Sequence, residues 1–114
     1  MEVTYKNKHL QKCAENGKYS VKKLGAIRSK KYLQRVADLC DAETLEEVRY
    51  LPGNYHELTG DRKGQWAVSL DQPYRLIFTP HESPIPTDKD GKYVWIEIKG
   101  EGGTHWICTS IRKI

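Results

Sequence analysis

The sequence predicts an α+β domain in which N-terminal helices pack on one face of an antiparallel β-sheet. Three observations carry this. Leu33, Val36, Ala37 and Cys40 recur at i, i+3, i+4 and i+7, the stripe of a helix that faces a core. From residue 65 to 79 the period changes to two. Trp66, Val68 and Leu70 fall on one side of a first run, and Gln65, Ala67 and Ser69 on the other. After Asp71-Gln72-Pro73, Tyr74, Leu76 and Phe78 share one face, while Arg75, Ile77 and Thr79 share the opposite one. Alternation on both sides of a turn-forming cluster reads as an antiparallel hairpin. Finally, Val94, Ile96 and Ile98 alternate through residues 93–99 and add a strand. Helical periodicity followed by strand periodicity is the pattern of a layered α+β fold.

In chain order, Val3 and Tyr5 alternate with Thr4 and Lys6, which predicts a short strand at a sheet edge. Asn7 can cap a helix that carries Leu10, Cys13 and Ala14 and stops near Gly17. A longer helix is expected over residues 21–39. Gly25 inside it costs about 1 kcal/mol relative to alanine, which favours a start nearer Ala26. Thr44 followed by Glu47 fits a capping box, opening a short helix that turns Leu45 and Val48 inward until Pro52 and Gly53. The hairpin follows. Residues 81–92 hold Pro84, Pro86 and Asp90-Gly91 and read as a loop. Asp88 and Asp90-Gly91 faintly resemble a calcium loop, but Pro86 stands at the first ligand position and the closing glutamate is missing, so a plain turn is expected. After Gly-Glu-Gly-Gly, the segment with Trp106, Ile107, Cys108 and Ile111 fits either an extra strand or a docking segment. The chain is read as one domain, 1–114, with 100–114 a C-terminal extension.

A length of 114 residues accommodates one modest core. With 38% hydrophobic and 30% charged residues of mixed sign, the composition suits a small globular domain rather than disorder. The net charge of +4 is compatible with nucleic-acid binding and too small to demonstrate it. Lys18, Lys22, Lys23, Arg28, Lys30, Lys31 and Arg35 crowd one helical region, and Asp38, Asp41, Glu43, Glu46 and Glu47 follow it. A solvated helix face that changes sign along its length accounts for this, with an RNA-facing patch as the alternative. Cys13, Cys40 and Cys108 match no zinc or redox spacing and read as small buried residues in a reducing compartment. No apolar run reaches the length of a membrane span, and the first residues lack a secretory apolar segment, so a cytoplasmic location without membrane association is expected. No histidine or cysteine pair has metal-ligand spacing and there is no Gly-rich phosphate loop. The expectation is no metal and no cofactor.

Residues 51–80 concentrate the chemistry. The hairpin explains their apolar residues but not the surplus of His56, Arg62, Lys63 and Arg75, for which phosphate is the first candidate partner. His56 can move a proton near neutral pH, or be a hydrogen-bonded histidine at a strand start. Arg62 and Lys63 lie in Gly60-Asp61-Arg62-Lys63-Gly64, which is either a phosphate-gripping turn or an ordinary polar one. Arg75 sits inside a strand, where a planar guanidinium can grip a phosphate in two places. The structural alternative is an ion pair with Glu57, Asp71 or Glu97.

The string L-P-G, then H-x-L-x-G-D-x-K-G-x-W-x-V, then Y-R-L-x-F resembles the HigB-like killer toxins of bacterial toxin–antitoxin systems, members of the RelE/ParE superfamily. The resemblance covers most of residues 1–99 and is strongest from 51 to 78. It implies two helices against a curved sheet whose other face forms the active cleft. It also implies ribosome-dependent cleavage of messenger RNA by metal-free attack of the ribose 2′-hydroxyl. On that footing His56 transfers a proton, Arg75 stabilises the phosphate, and Arg62 and Lys63 position the RNA. Some relatives carry H-x-L-K-G where this chain has Thr59. The family's last strand often ends in an acidic-aromatic-histidine group, whereas this one reads Trp95-Ile96-Glu97-Ile98-Lys99-Gly100, leaving Lys99, Glu97 or His105 to complete the site. Implied partners are the ribosome with its message and a helix-turn-helix antitoxin through which the pair binds operator DNA. The alternatives are a ParE-like toxin that poisons gyrase and an inactive relative that only binds an antitoxin.

Overall fold

Asn7 does what its position predicts. In the structure, a computed structural model that describes residues 2–80, 85, 87–93 and 105–113, its side chain accepts from the Leu10 amide at 2.8 Å and starts helix α1 (Lys8–Glu15). Strand β1 (Glu2–Tyr5) precedes it. Asn16 repeats the device for α2 (Gly17–Leu24), accepting from the Tyr19 amide at 3.1 Å. The longer helix starts at Ala26, as the cost of Gly25 favours, and runs as α3 (Ala26–Asp41), while residues 21–24 belong to α2 instead. Gly25 between them has φ +86°, a left-handed value that glycine adopts without steric cost and that ends one helix before the next begins.

The capping box at Thr44 does not form. The Thr44 side chain makes no cap bond to α4 (Leu45–Val48), and Glu47 instead accepts from the Glu43 amide at 2.8 Å. Helix α4 ends at Val48, short of Pro52, and Val48 is fully buried.

The remaining strands are β2 (His56–Glu57), β3 (Trp66–Ser69), β4 (Tyr74–Pro80) and β5 (His105–Lys113), with a 3-10 turn at Gly60–Arg62. Among the described residues the sheet has the order β1-β5-β4-β3-β2, with β1 at an edge as expected. Its pairs are antiparallel except β1 with β5, which run parallel, so the sheet is mixed. The hairpin register sets Trp66 opposite Phe78, Val68 opposite Leu76 and Ser69 opposite Arg75. The segment read as a C-terminal extension is a structural strand, β5, held between β1 and β4. Of the strand expected over residues 93–99, only Tyr93 lies within the described residues, where it bridges Thr87. Between them Asp88 builds a plain turn, its carboxylate accepting from the amides of Asp90 and Lys92.

One face of the sheet carries Trp66, Val68, Leu76, Phe78, Trp106 and Cys108, all fully buried in one cluster with Leu10, Cys13, Tyr32 and Leu39 of the helices. Phe78 is central, stacked on Trp66 and edge-on to Trp106 and Tyr55. Such offset and perpendicular pairings add to area burial. Tyr32 donates its hydroxyl to the Leu10 carbonyl at 2.8 Å, tying α3 to α1, and burial pushes its ionisation well above the usual phenol range. Burial likewise pushes the Cys108 thiol up to about 12. Cys13 and Cys108 are the buried apolar cysteines expected, whereas Cys40 is exposed on α3. Arg35 departs from the solvated-face reading: it is buried, and its Nε donates to the Ser69 carbonyl at 3.1 Å. No described helix is long and apolar enough to cross a membrane.

Candidate functional site

Alternation that turns the aromatic residues inward turns a second set to the opposite face. By register, His56 on β2 lies opposite Ala67, Ala67 opposite Ile77, and Ile77 opposite Ser110. One step along, Ser69, Arg75 and Arg112 form a second row. Side chains directly opposite on neighbouring strands point to the same side, so His56, Arg75 and Arg112 share the face away from the helices. Ala67 and Ile77, both buried, are its apolar centre. Two strand spacings and one two-residue step put the His56 and Arg75 Cα atoms about 12 Å apart. An extended arginine and an imidazole can close that distance around one ribose-phosphate unit.

His56 is aimed by the turn before it. Gly53 has φ +114° and Asn54 φ 57°, left-handed values that a glycine and an asparagine tolerate best. A Cβ on Gly53 would also stand 2.7 Å from the Arg35 guanidinium carbon and 2.9 Å from Val68. The Leu-Pro-Gly-Asn stretch is thus pressed onto β3, and the Gly53 carbonyl accepts from the Ser69 amide at 2.8 Å. The Asn54 carbonyl then lies 2.8 Å from His56 Nδ1. A carbonyl only accepts, so Nδ1 carries the hydrogen and Nε2 is the atom available for proton transfer.

Of the three structural partners considered for Arg75, two are committed elsewhere. Asp71 takes both ends of Arg28 at 2.9 and 3.2 Å, and Glu57 binds Arg49 at 2.8 Å. Arg28 also lies flat on Tyr74, 3.4 Å from the ring centre, so it clamps α3 to the hairpin turn. Glu97 lies outside the described residues, among which Arg75 has no ion pair. Its cross-strand neighbour is instead Arg112. Like charges directly opposite on a sheet repel, so the pair is more stable with an anion between its guanidinium groups.

Beside this row is a polar cleft of about 190 Å³ lined by Lys6, Arg62, Gln65, Thr79, Ser110 and Arg112, together with Thr109. Arg62 reaches it from the 3-10 turn, where it donates to Gln65 Oε1 at 3.3 Å. Arg112 is steadied by a 3.2 Å bond from its Nε to Ser110 Oγ. Three cations and several hydroxyls around so small a space suit a tetrahedral oxyanion.

The structure therefore brings Arg62 into a cleft that also holds Arg112 and Lys6, and places His56 and Arg75 on the same sheet face. Lys63 does not join them; its ammonium sits 5.0 Å from the centre of the Tyr93 ring. Lys99 lies outside the described residues. Arg112 was missed from sequence because β5 bulges, and Lys6 because its place depends on β1 lying beside β5. Trp106 and Cys108 keep one parity and Ile111 takes the other, since the register shifts where β5 passes from Ser110 to Cys108 opposite Ile77 and Phe78. Allowing one extra residue there restores the alternation and sets Arg112 against Arg75. No family model and no curated protein matches the chain.

Proposed function

We propose that the protein is a ribosome-dependent endoribonuclease of the HigB-like kind, acting as the toxin of a toxin–antitoxin pair in the cytoplasm. The observation that carries this reading is the Arg75–Arg112 pair on the sheet face that also presents His56 Nε2. Cleavage begins when the ribose 2′-hydroxyl loses its proton and its oxygen attacks the adjacent phosphorus. The bond from phosphorus to the 5′ oxygen then breaks, leaving a 2′,3′-cyclic phosphate and a protonated 5′-hydroxyl. Charge grows on the non-bridging oxygens during attack, and Arg75 and Arg112 are positioned to meet it, while Arg62 and Lys6 hold the neighbouring backbone. His56 handles one of the two proton transfers.

Expression of the wild-type chain should arrest growth and leave message fragments with cyclic-phosphate and 5′-hydroxyl ends. Arg75→Ala should lose roughly 10²–10³-fold in cleavage, as for other donors aimed at a developing oxyanion. Full cleavage by a stably folded Arg75→Ala protein would remove the arginine from the mechanism. Inhibited DNA supercoiling with intact messages would replace this reading by gyrase poisoning. A toxin must be restrained, so a helix-turn-helix antitoxin encoded beside it should co-purify from a two-gene expression. Separate elution at micromolar concentration would count against that partner.

A further inference from the structure

We infer that the groove between α2 and α3 is a docking site for an acidic amphipathic helix of a partner protein. This does not depend on the reading of the sheet face. The groove, about 730 Å³, runs between Gly17, Lys18 and Val21 on α2 and Ala26, Lys30 and Leu33 on α3. Its floor is closed by a 2.6 Å bond between the buried Ser29 and Ser20 hydroxyls. Val21, in its lining, is 49% exposed. An exposed β-branched residue in a shallow apolar depression leaves water where a partner's side chains can pack.

Charge specifies the occupant. From residue 16 to 37 the chain has seven lysines and arginines and not one carboxylate. Lys12 and Lys23 lie against the Tyr19 ring. Lys18, Lys22, Lys30 and Lys31 have no ion-pair partner among the described residues. An apolar depression with an all-cationic rim fits a helix whose leucine-like stripe enters the groove and whose flanking glutamates or aspartates reach the lysines. A nucleic-acid backbone has nothing to fill the apolar depression.

The test uses the full chain and two labelled helical peptides with leucines at i, i+3, i+4 and i+7, flanked by glutamates in one and lysines in the other. Fluorescence anisotropy should show the acidic peptide binding at least about tenfold tighter than the basic one. Gly17→Trp should plug the groove and weaken binding roughly tenfold or more without unfolding the protein, since a Cβ there meets nothing within 4 Å. Val21→Glu should weaken it similarly, and Lys18→Glu with Lys30→Glu should reverse the preference between the peptides. Equal binding of both peptides, or unaltered binding by folded Gly17→Trp, would overturn the inference. So would Val21-dependent self-association in sedimentation, or Val21-dependent binding to anionic phospholipid vesicles, with no peptide bound.

Discussion

Arg75 and Arg112 stand opposite each other on adjacent strands, an arrangement that costs stability unless an anion intervenes. Fold stability and the proposed function therefore pull in opposite directions at this pair, and substitution separates them. Arg112→Ala relieves the repulsion, so the ligand-free protein should unfold at the same or a slightly higher temperature, by roughly 0.2–1 kcal/mol. In the proposed cleavage Arg112 also gives a charge-assisted bond to phosphate, so the same substitution should lower cleavage by roughly 10–100-fold, the kinetic equivalent of about 1.5–3 kcal/mol. Thermal unfolding measured beside single-turnover cleavage reads both. A loss of stability with no loss of activity would mean that Arg112 serves the fold. Other arginines show what a fold-serving guanidinium looks like here: Arg28 is clamped by Asp71 and Tyr74, and Arg35 is buried against Ser69.

Elements announced by local rules were legible in the sequence, and those set by distant partners were not. Asn7 caps α1 because a short side chain, an amide and a helical stripe all lie within a few residues. The hairpin of β3 and β4 was legible because its period is strict and its turn lies between the runs. Gly25 announced a cost, but only its φ of +86° shows that the cost is avoided by breaking the helix. Thr44 and Glu47 satisfied a pattern whose hydrogen bonds then formed elsewhere, at Glu43. The segment after Gly100 was opaque because a bulge at Thr109 and Ser110 splits its alternation and its partners β1 and β4 lie far away in the chain. For the site, His56, Arg62 and Arg75 were legible as residue types without local structural duties, while Arg112 and Lys6 depend on β5 being paired. Removing residues 105–114 should consequently unfold the protein rather than trim it. Trp106 and Cys108 would leave the core, β1 would be cut off from the rest of the sheet, and β4 would lose one of its two neighbours. Circular dichroism of the shortened chain should show no cooperative melt, whereas a retained sharp transition would make β5 dispensable.

Across the whole molecule, charge is sorted by location. Lysines without acidic neighbours crowd α2 and α3, carboxylates gather from Asp38 to Glu47, and a smaller cationic group occupies the sheet face away from the helices. The net charge of +4 is thus spread over separate surfaces, and the face that carries His56 and Arg75 holds only a fraction of it. A cleft of about 190 Å³ can grip one phosphate but not a length of RNA. Affinity for free RNA grows with the number of phosphates neutralised, so a site that engages few should bind it weakly and lose it readily as salt rises. One histidine and a few cations also leave much of the barrier to orientation, since the 2′-hydroxyl must lie in line with the departing oxygen. Holding that geometry can be worth roughly 7–11 kcal/mol, and a ribosome can supply it by fixing the message in an extended path. Purified protein at physiological salt should therefore leave naked message nearly intact and cut the same message once it is loaded on a translating ribosome. Arg75→Ala should lower the ribosome-dependent cutting by the same roughly 10²–10³-fold. Efficient cutting of naked RNA at matched protein concentration would reject this dependence, and would mean that the sheet face orients its substrate unaided.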